Sequence, residues 1–191
     1  MTRARWWWIG AALAGALVAT SSARAAEVVD EQVDVLVRAL SYDRHFGDRV
    51  GDKLKIGVLW VRGDEASAAE AGEVFAALVA RADARIQDRV PTVVSLDYTS
   101  IDALRAAFSA EQVDIVVLCA GLDADLSLII ELCGQQDVLT IALDEGYVRR
   151  GAALGTLTLE GRQRVLVNLP ASREEGAEFS SELLQLAEVI P

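Results

Sequence analysis

The sequence predicts an α/β fold: a single three-layer domain with a mostly parallel sheet, ending in an antiparallel hairpin and a C-terminal helix. Three observations carry this. The runs Leu54–Val61 (LKIGVLWV), Val113–Ala120 (VDIVVLCA) and Val138–Leu143 (VLTIAL) are apolar without alternation, as strands covered on both faces are. Helical spacing fills the intervals between them, which is what parallel neighbours need for their crossovers. Beyond Gly151 the pattern turns to period two and is broken by Glu160-Gly161, a hairpin signal.

The first 26 residues are expected to lie outside the fold. Arg3 and Arg5 form a basic start, Trp6–Val18 is apolar, and Ala23-Arg24-Ala25 is a small-x-small cleavage pattern. That is the layout of a cleaved secretory signal peptide, and the apolar stretch is short of the roughly 20 residues that span a bilayer. Residues 27–191 are then one exported domain, outside the cytoplasm.

Within it, Val29, Val33, Leu36, Val37 and Leu40 mark a helix over Glu27–Leu40 with one buried stripe. After the strand Leu54–Val61, Asp64 is placed to cap a helix over Glu65–Ile86, with Ala68, Ala71, Val74, Phe75, Leu78 and Val79 on its core side. Pro91 opens a strand over Val90–Asp97, as at an edge or strand start. Ser100 caps Ile101–Phe108. The central run Val113–Ala120 leads through Gly121 into a helix over Asp123–Cys133. Val138–Leu143 follows, then the loop Asp144–Gly151 (DEGYVRRG). The strand-like runs Gly151–Glu160 and Arg162–Leu169 precede a final helix opened by Pro170, with Phe179, Leu183, Leu184, Leu186, Ala187 and Ile190 toward the sheet.

Charge narrows the partners. The net charge is −11, and removing the leader's three arginines takes it to −14. A surface that acidic argues against nucleic acid and anionic lipid. Cys119 and Cys133 are the two cysteines. Export favours pairing them, but a strand end and a point about ten residues along the following helix are separated by roughly 15 Å, beyond the reach of a bridge. Two buried thiols are expected.

The parts of an enzyme are missing, and no catalytic residue, metal or cofactor is assigned. His45 is the single histidine, which rules out a histidine-rich metal site. No G-x-S-x-G or phosphate-binding G-x-x-x-x-G-K occurs. The strand ends lack the acidic pair, aspartate and late lysine of a response-regulator receiver; the only lysines are Lys53 and Lys55. What remains is a polar rim at the carboxyl ends of the strands: Asp64, Asp97, Tyr98, Asp123, Asp144, Glu145 and Tyr147. In open α/β sheets ligands bind there, although aspartates also cap helices and line turns routinely. The candidate ligand-binding residues are Asp144, Glu145, Tyr147 and Arg149 of the loop, together with Asp123.

Read this far, the chain resembles the YfiR family of periplasmic regulators. The likeness rests on the Ile56-Gly57-Val58-Leu59 strand after Asp52-Lys53-Leu54, the Asp114-Ile115-Val116-Val117-Leu118-Cys119 strand, and Val138-Leu139-Thr140 leading to an acidic turn and Gly151. It continues in Val167-Asn168-Leu169 and in Phe179–Ala187 (FSSELLQLA), where it is strongest. The resemblance implies a non-enzymatic inhibitor that binds the periplasmic domain of a membrane diguanylate cyclase and lowers cyclic di-GMP, with a lipoprotein able to sequester it. The chain departs from better-known members in having two cysteines rather than a fuller disulfide set. Its first helix also reads Val33–Asp43 (VDVLVRALSYD) rather than an aromatic-rich version. The alternative is a small solute-binding module that reports a small-molecule ligand to a membrane receptor. Apolar residues of the first helix and terminal hairpin fit a homodimer as well as a core.

Overall fold

The computed structural model describes residues 10–191, with side chains from Arg24 onward. Its elements in chain order are α1 (Gly10–Leu40), α2 (Phe46–Arg49), β1 (Leu54–Val61), α3 (Glu65–Ala80), β2 (Pro91–Tyr98), α4 (Ile101–Glu111), β3 (Ile115–Leu118), α5 (Leu126–Gln135), β4 (Leu139–Ala142), α6 (Glu145–Arg149), β5 (Leu154–Leu159), β6 (Arg162–Asn168), α7 (Leu169–Glu174), α8 (Ser181–Leu186) and β7 (Glu188–Ile190). The expected α/β architecture is what is found. Seven strands form one sheet in the order β2-β1-β3-β4-β5-β6-β7. The strands from β2 to β5 run parallel, β5 and β6 form the antiparallel hairpin, and β7 lies parallel to β6.

Two core layers explain the unbroken apolar runs. On one face Leu36 and Leu40 of α1, Val74 and Leu78 of α3 and Leu183 of α8 meet Ile56, Val58, Val117, Ile141 and Val167. On the other, Leu104 and Phe108 of α4, Ile129 and Leu132 of α5 and Val148 of α6 meet Leu59, Val116, Leu118 and Leu166. Alternate residues of β1, β3 and β4 thus enter opposite cores, and each fully buried Leu or Ile contributes about 1.5–3 kcal/mol. Two strand glycines are required by close approach. A Cβ on Gly57 would stand 2.4 Å from Leu96 Cδ1, and one on Gly155 would stand 2.5 Å from the Ala142 carbonyl oxygen.

Several boundaries differ from the sequence reading. Among the described residues the first helix already runs from Gly10, ahead of the expected start at Glu27. The expected signal peptide, residues 1–26, falls on residues 1–9, outside the described residues, on residues 10–23, whose side chains are also outside them, and on residues 24–26, which are helical and exposed. No helix among the described residues is long and apolar enough to cross a membrane. The helix after β1 stops at Ala80 and not at Ile86. Ile86 instead enters the core and bridges to Arg89 across a tight turn in which Gln87 and Asp88 have positive φ.

The buried stripe of α3 is Ser67, Ala71, Val74, Ala77 and Leu78, whereas Ala68 and Val79 face solvent. The helix is rotated from the expected setting, with the Ser67 hydroxyl inside to accept from the Val61 N–H at 2.9 Å. The single final helix is two short ones followed by a strand. Gly176, at φ +79°, turns the chain after α7, and Ser180 caps α8 through the Leu183 N–H. As a result Leu186 is 69% exposed rather than packed on the sheet, and Ile190 pairs with Asn168 in β7.

The two cysteines are free and buried. Their separation has a simple cause: Cys119 belongs to the core under α1 and α3, and Cys133 to the core on the opposite side of the sheet.

Candidate functional site

The chain reverses its direction of strand addition between β1 and β3, so the crevice at their carboxyl ends is the topological switch point. Two side chains close it. Asp64 accepts from the Ala66 and Ser67 N–H groups and caps α3. Its Oδ2 lies 2.9 Å from where a Cβ on Gly121 would be, so residue 121, at φ +88°, is held to glycine twice over. Glu70 reaches across from α3 to accept from the Ala120 N–H at 2.6 Å. Burial, opposed by that bond, pushes the Glu70 carboxyl up, and the neighbouring Asp144 and Glu73 charges push the same way.

The expected loop Asp144–Gly151 is largely the short helix α6. Asp144 Oδ1 accepts from the Gly146 N–H at 2.7 Å and caps it. Glu145 and Arg149 form an exposed pair one turn apart at 2.7 Å. Tyr147 is buried, and its hydroxyl accepts from the Leu122 N–H and donates to Asp123 Oδ2, both at 3.0 Å. Burial first, then the bond to Asp123, raises its pKa to about 12. Arg150 completes the group, bonding both the carboxylate and the backbone oxygen of Asp123. Its guanidinium carbon lies 5.8 Å from the Tyr147 ring centre. The Arg150 bond, with Tyr147 second, holds the Asp123 carboxyl below its ordinary range.

Of the five candidates, therefore, Asp123 and Tyr147 come together, and Asp144, Glu145 and Arg149 serve their own helix. Arg150, not Arg149, faces Asp123. Its spacing of three from Tyr147 on a helix was the sequence signal for it. The other rim residues are engaged too: Asp97 with Arg62, and the Tyr98 hydroxyl with Asp125 Oδ2 at 2.9 Å.

A second polar region lies at the opposite, amino ends of the strands. A cavity of about 400 Å³ is lined by His45, Asp48, Arg49, Asp114, Asp137 and Gly176. Asp43 organises one wall. Its carboxylate accepts from the His45 and Glu178 N–H groups and pairs at 2.9 Å with Arg49, both side chains almost wholly buried. Arg49 also donates to the Asp114 carbonyl oxygen at 3.0 Å. His45 is half exposed and reaches Glu178 at 3.3 Å.

Nearby, Glu175 is buried and accepts from the N–H and the hydroxyl of Thr140, each at 2.7 Å. Thr140 Oγ1 in turn accepts from the Ala153 N–H. This network stands where β5 has not yet begun to pair with β4. Burial, only partly opposed by the Thr140 bonds, raises the Glu175 pKa to about 8. The sequence reading missed Asp43, Arg49 and Glu175, because each is a charged residue whose burial depends on partners distant in the chain.

A profile of the YfiR/HmsC-like family matches residues 34–188, from within α1 to the start of β7. The chain belongs to the YfiR/HmsC-like family. A search of curated protein sequences finds no match to the chain. Among solved structures it is similar to the ABC domain in complex with L-Trp from Streptococcus pneumonia, at TM-score 0.59 and 13% identity over 85% of this chain and 62% of that one. It is likewise similar to the ligand-free, open CD0873, a substrate binding protein with adhesive properties from Clostridium difficile (TM-score 0.55, 13% identity, 76% of this chain and 57% of that one). A conserved domain protein from Vibrio cholerae O1 biovar El Tor matches at TM-score 0.58 and 15% identity, over 84% and 59% of the two chains. The YfiR/HmsC-like chain spans about three fifths of the length of these structures. They share its fold. The family itself is a regulatory one of the periplasm.

Proposed function

We propose that this YfiR/HmsC-like protein is an exported, non-enzymatic regulator. It binds the periplasmic domain of a membrane signalling protein, most directly a diguanylate cyclase, and lowers its output. The family match over residues 34–188 carries this reading, since it takes in β1 to β6 and reaches the first residue of β7. The geometry supports it: the rim groups at the switch point bond one another or cap helices, and none stands as a nucleophile beside a base. The test is cyclic di-GMP formation by a full-length membrane cyclase from the same cell, reconstituted in vesicles, with and without the purified protein on the periplasmic side. Inhibition that saturates with protein concentration supports the reading; unchanged synthesis for every such cyclase removes it.

A second reading, a solute-binding module, draws on the cavity at the amino ends of the strands. In that reading a small molecule held there, or on Asp123, Asp144, Glu145, Tyr147 and Arg149, biases partner binding by preferring one state. Replacing Tyr147 and Asp144 by alanine at the carboxyl ends, and separately Asp48 and Asp137 at the amino-end cavity, separates the readings. Lost ligand uptake with partner binding retained favours the module.

A further inference from the structure

The hairpin β5–β6 carries a surface that the rest of the molecule leaves uncovered. Its strands pair over six positions, from Leu154↔Val167 to Leu159↔Arg162, whereas β4 reaches only Leu154 and Gly155. The outer half therefore stands beyond the end of β4 as a two-stranded arm. One face of it is occupied: Gln32 of α1 donates to Thr156 Oγ1 at 2.8 Å, and Val165 packs against the core beneath α1. On the other face α6 covers only the base, where Val148 crowds Gly155. Beyond that lie two cross-strand pairs, Leu157↔Arg164 and Leu159↔Arg162. Leu159 is 42% exposed, Leu157 is half-buried, and both arginines are exposed.

The charge of this face is the opposite of the molecule's. The chain carries −11, yet two exposed arginines, Arg162 and Arg164, stand together on this face with no ion pair among the described residues, as is also true of the separate Arg85, Arg89, Arg105 and Arg173. Glu160 at the turn offsets one of the two. Exposed Leu159 and half-buried Leu157, the latter partly packed against the core under α6, face two guanidiniums across the strands; this matches an apolar strip edged by carboxylates, and arginine is the cation that pairs carboxylates in two-pronged fashion.

We infer that this face of the hairpin, Leu157, Leu159, Arg162 and Arg164, is the docking surface for an acidic patch on the periplasmic domain of the regulated membrane protein. The inference rests on the regulator reading above and adds to it the place of contact and the sign of the partner's charge. A second copy of the chain is disfavoured as occupant because two bodies of −11 repel. An anionic membrane meets the same repulsion, which two arginines offset only weakly.

The experiment measures binding of the wild-type protein, R162E/R164E and L159A to the purified periplasmic domain of each membrane diguanylate cyclase of the source cell, at low and high salt. R105E, a charge reversal on α4, serves as control. All four positions are surface sites, and circular dichroism checks that each variant folds. The expected result is a wild-type affinity that weakens with salt, a loss of about tenfold or more in R162E/R164E, a smaller loss in L159A, and no change in R105E. Equal affinity of wild type and R162E/R164E overturns the surface while leaving the regulator reading intact. Absence of wild-type binding to every domain overturns both. Vesicles containing phosphatidylglycerol and sedimentation of the protein alone complete the set. If R162E/R164E loses vesicle binding or self-association instead of domain binding, the occupant is a membrane or a second copy, and the inference fails.

Discussion

Replacing Glu175 by glutamine is expected to abolish a pH dependence of stability that the native protein carries. The buried carboxyl has a pKa of about 8 in the fold against an ordinary value of 4.5. Between those values the folded state holds one proton more than the unfolded chain, so stability falls as pH rises. Its contribution is complete below pH 4.5, declines by about 1.4 kcal/mol per pH unit, and is gone once pH passes the folded value. Across the whole window the loss is roughly 4–5 kcal/mol, which for a chain of this size lowers the melting temperature by about 10 °C or more. Glutamine keeps the neutral form, accepting from the Thr140 N–H and donating to its hydroxyl oxygen. Thermal or urea unfolding at pH 5, 6, 7 and 8 checks this. The variant should match the wild type at pH 5 and exceed it at pH 8. Parallel pH profiles, or a wild type that gains stability relative to the variant as pH rises, would refute the placement of a neutral acid beneath β4.

Other expectations follow from the same contacts. Asp43→Ala leaves the Arg49 guanidinium buried without its partner at 2.9 Å and two N–H groups without an acceptor; urea midpoints should register a loss of about 3–5 kcal/mol. Tyr147→Phe removes the acceptor of the buried Leu122 N–H and is expected to cost about 1–3 kcal/mol, read by equilibrium unfolding with an unchanged m-value. Cys119 and Cys133 are buried with thiol pKa values pushed up by burial first, so a thiol reagent should label neither in the native protein and both in urea.

Much of the fold was legible because its strands are covered on both faces, and unbroken apolar runs such as Val113–Ala120 follow directly from that. The helix caps Asp64 and Ser100 were legible for a local reason: each bonds backbone groups two or three residues on. The failures share a different cause. The end of α3 is decided by where Ile86 finds its core, and the division of the C-terminal stretch by Gly176 and by β7 pairing with β6. The core that takes Ile86 and the β6 partner of β7 are not near in sequence, whereas Gly176 lies inside the stretch it divides. At the candidate site, the sequence placed Asp123 and Tyr147 on one rim of strand ends, and the structure bonds the Tyr147 hydroxyl to Asp123. The bond of Arg150 to Asp123 and the reach of Glu70 to Ala120 needed the turn of α6 and the crossing of α3, which composition does not specify.

The most direct measurement of the regulatory account is the rate of cyclic di-GMP synthesis by a vesicle-reconstituted membrane cyclase of the source cell as this protein is titrated onto its periplasmic face. The account predicts saturable inhibition that requires the cyclase's periplasmic domain and disappears when that domain is deleted. Synthesis that stays constant for every cyclase tested, or inhibition that survives deletion of the domain, would contradict it.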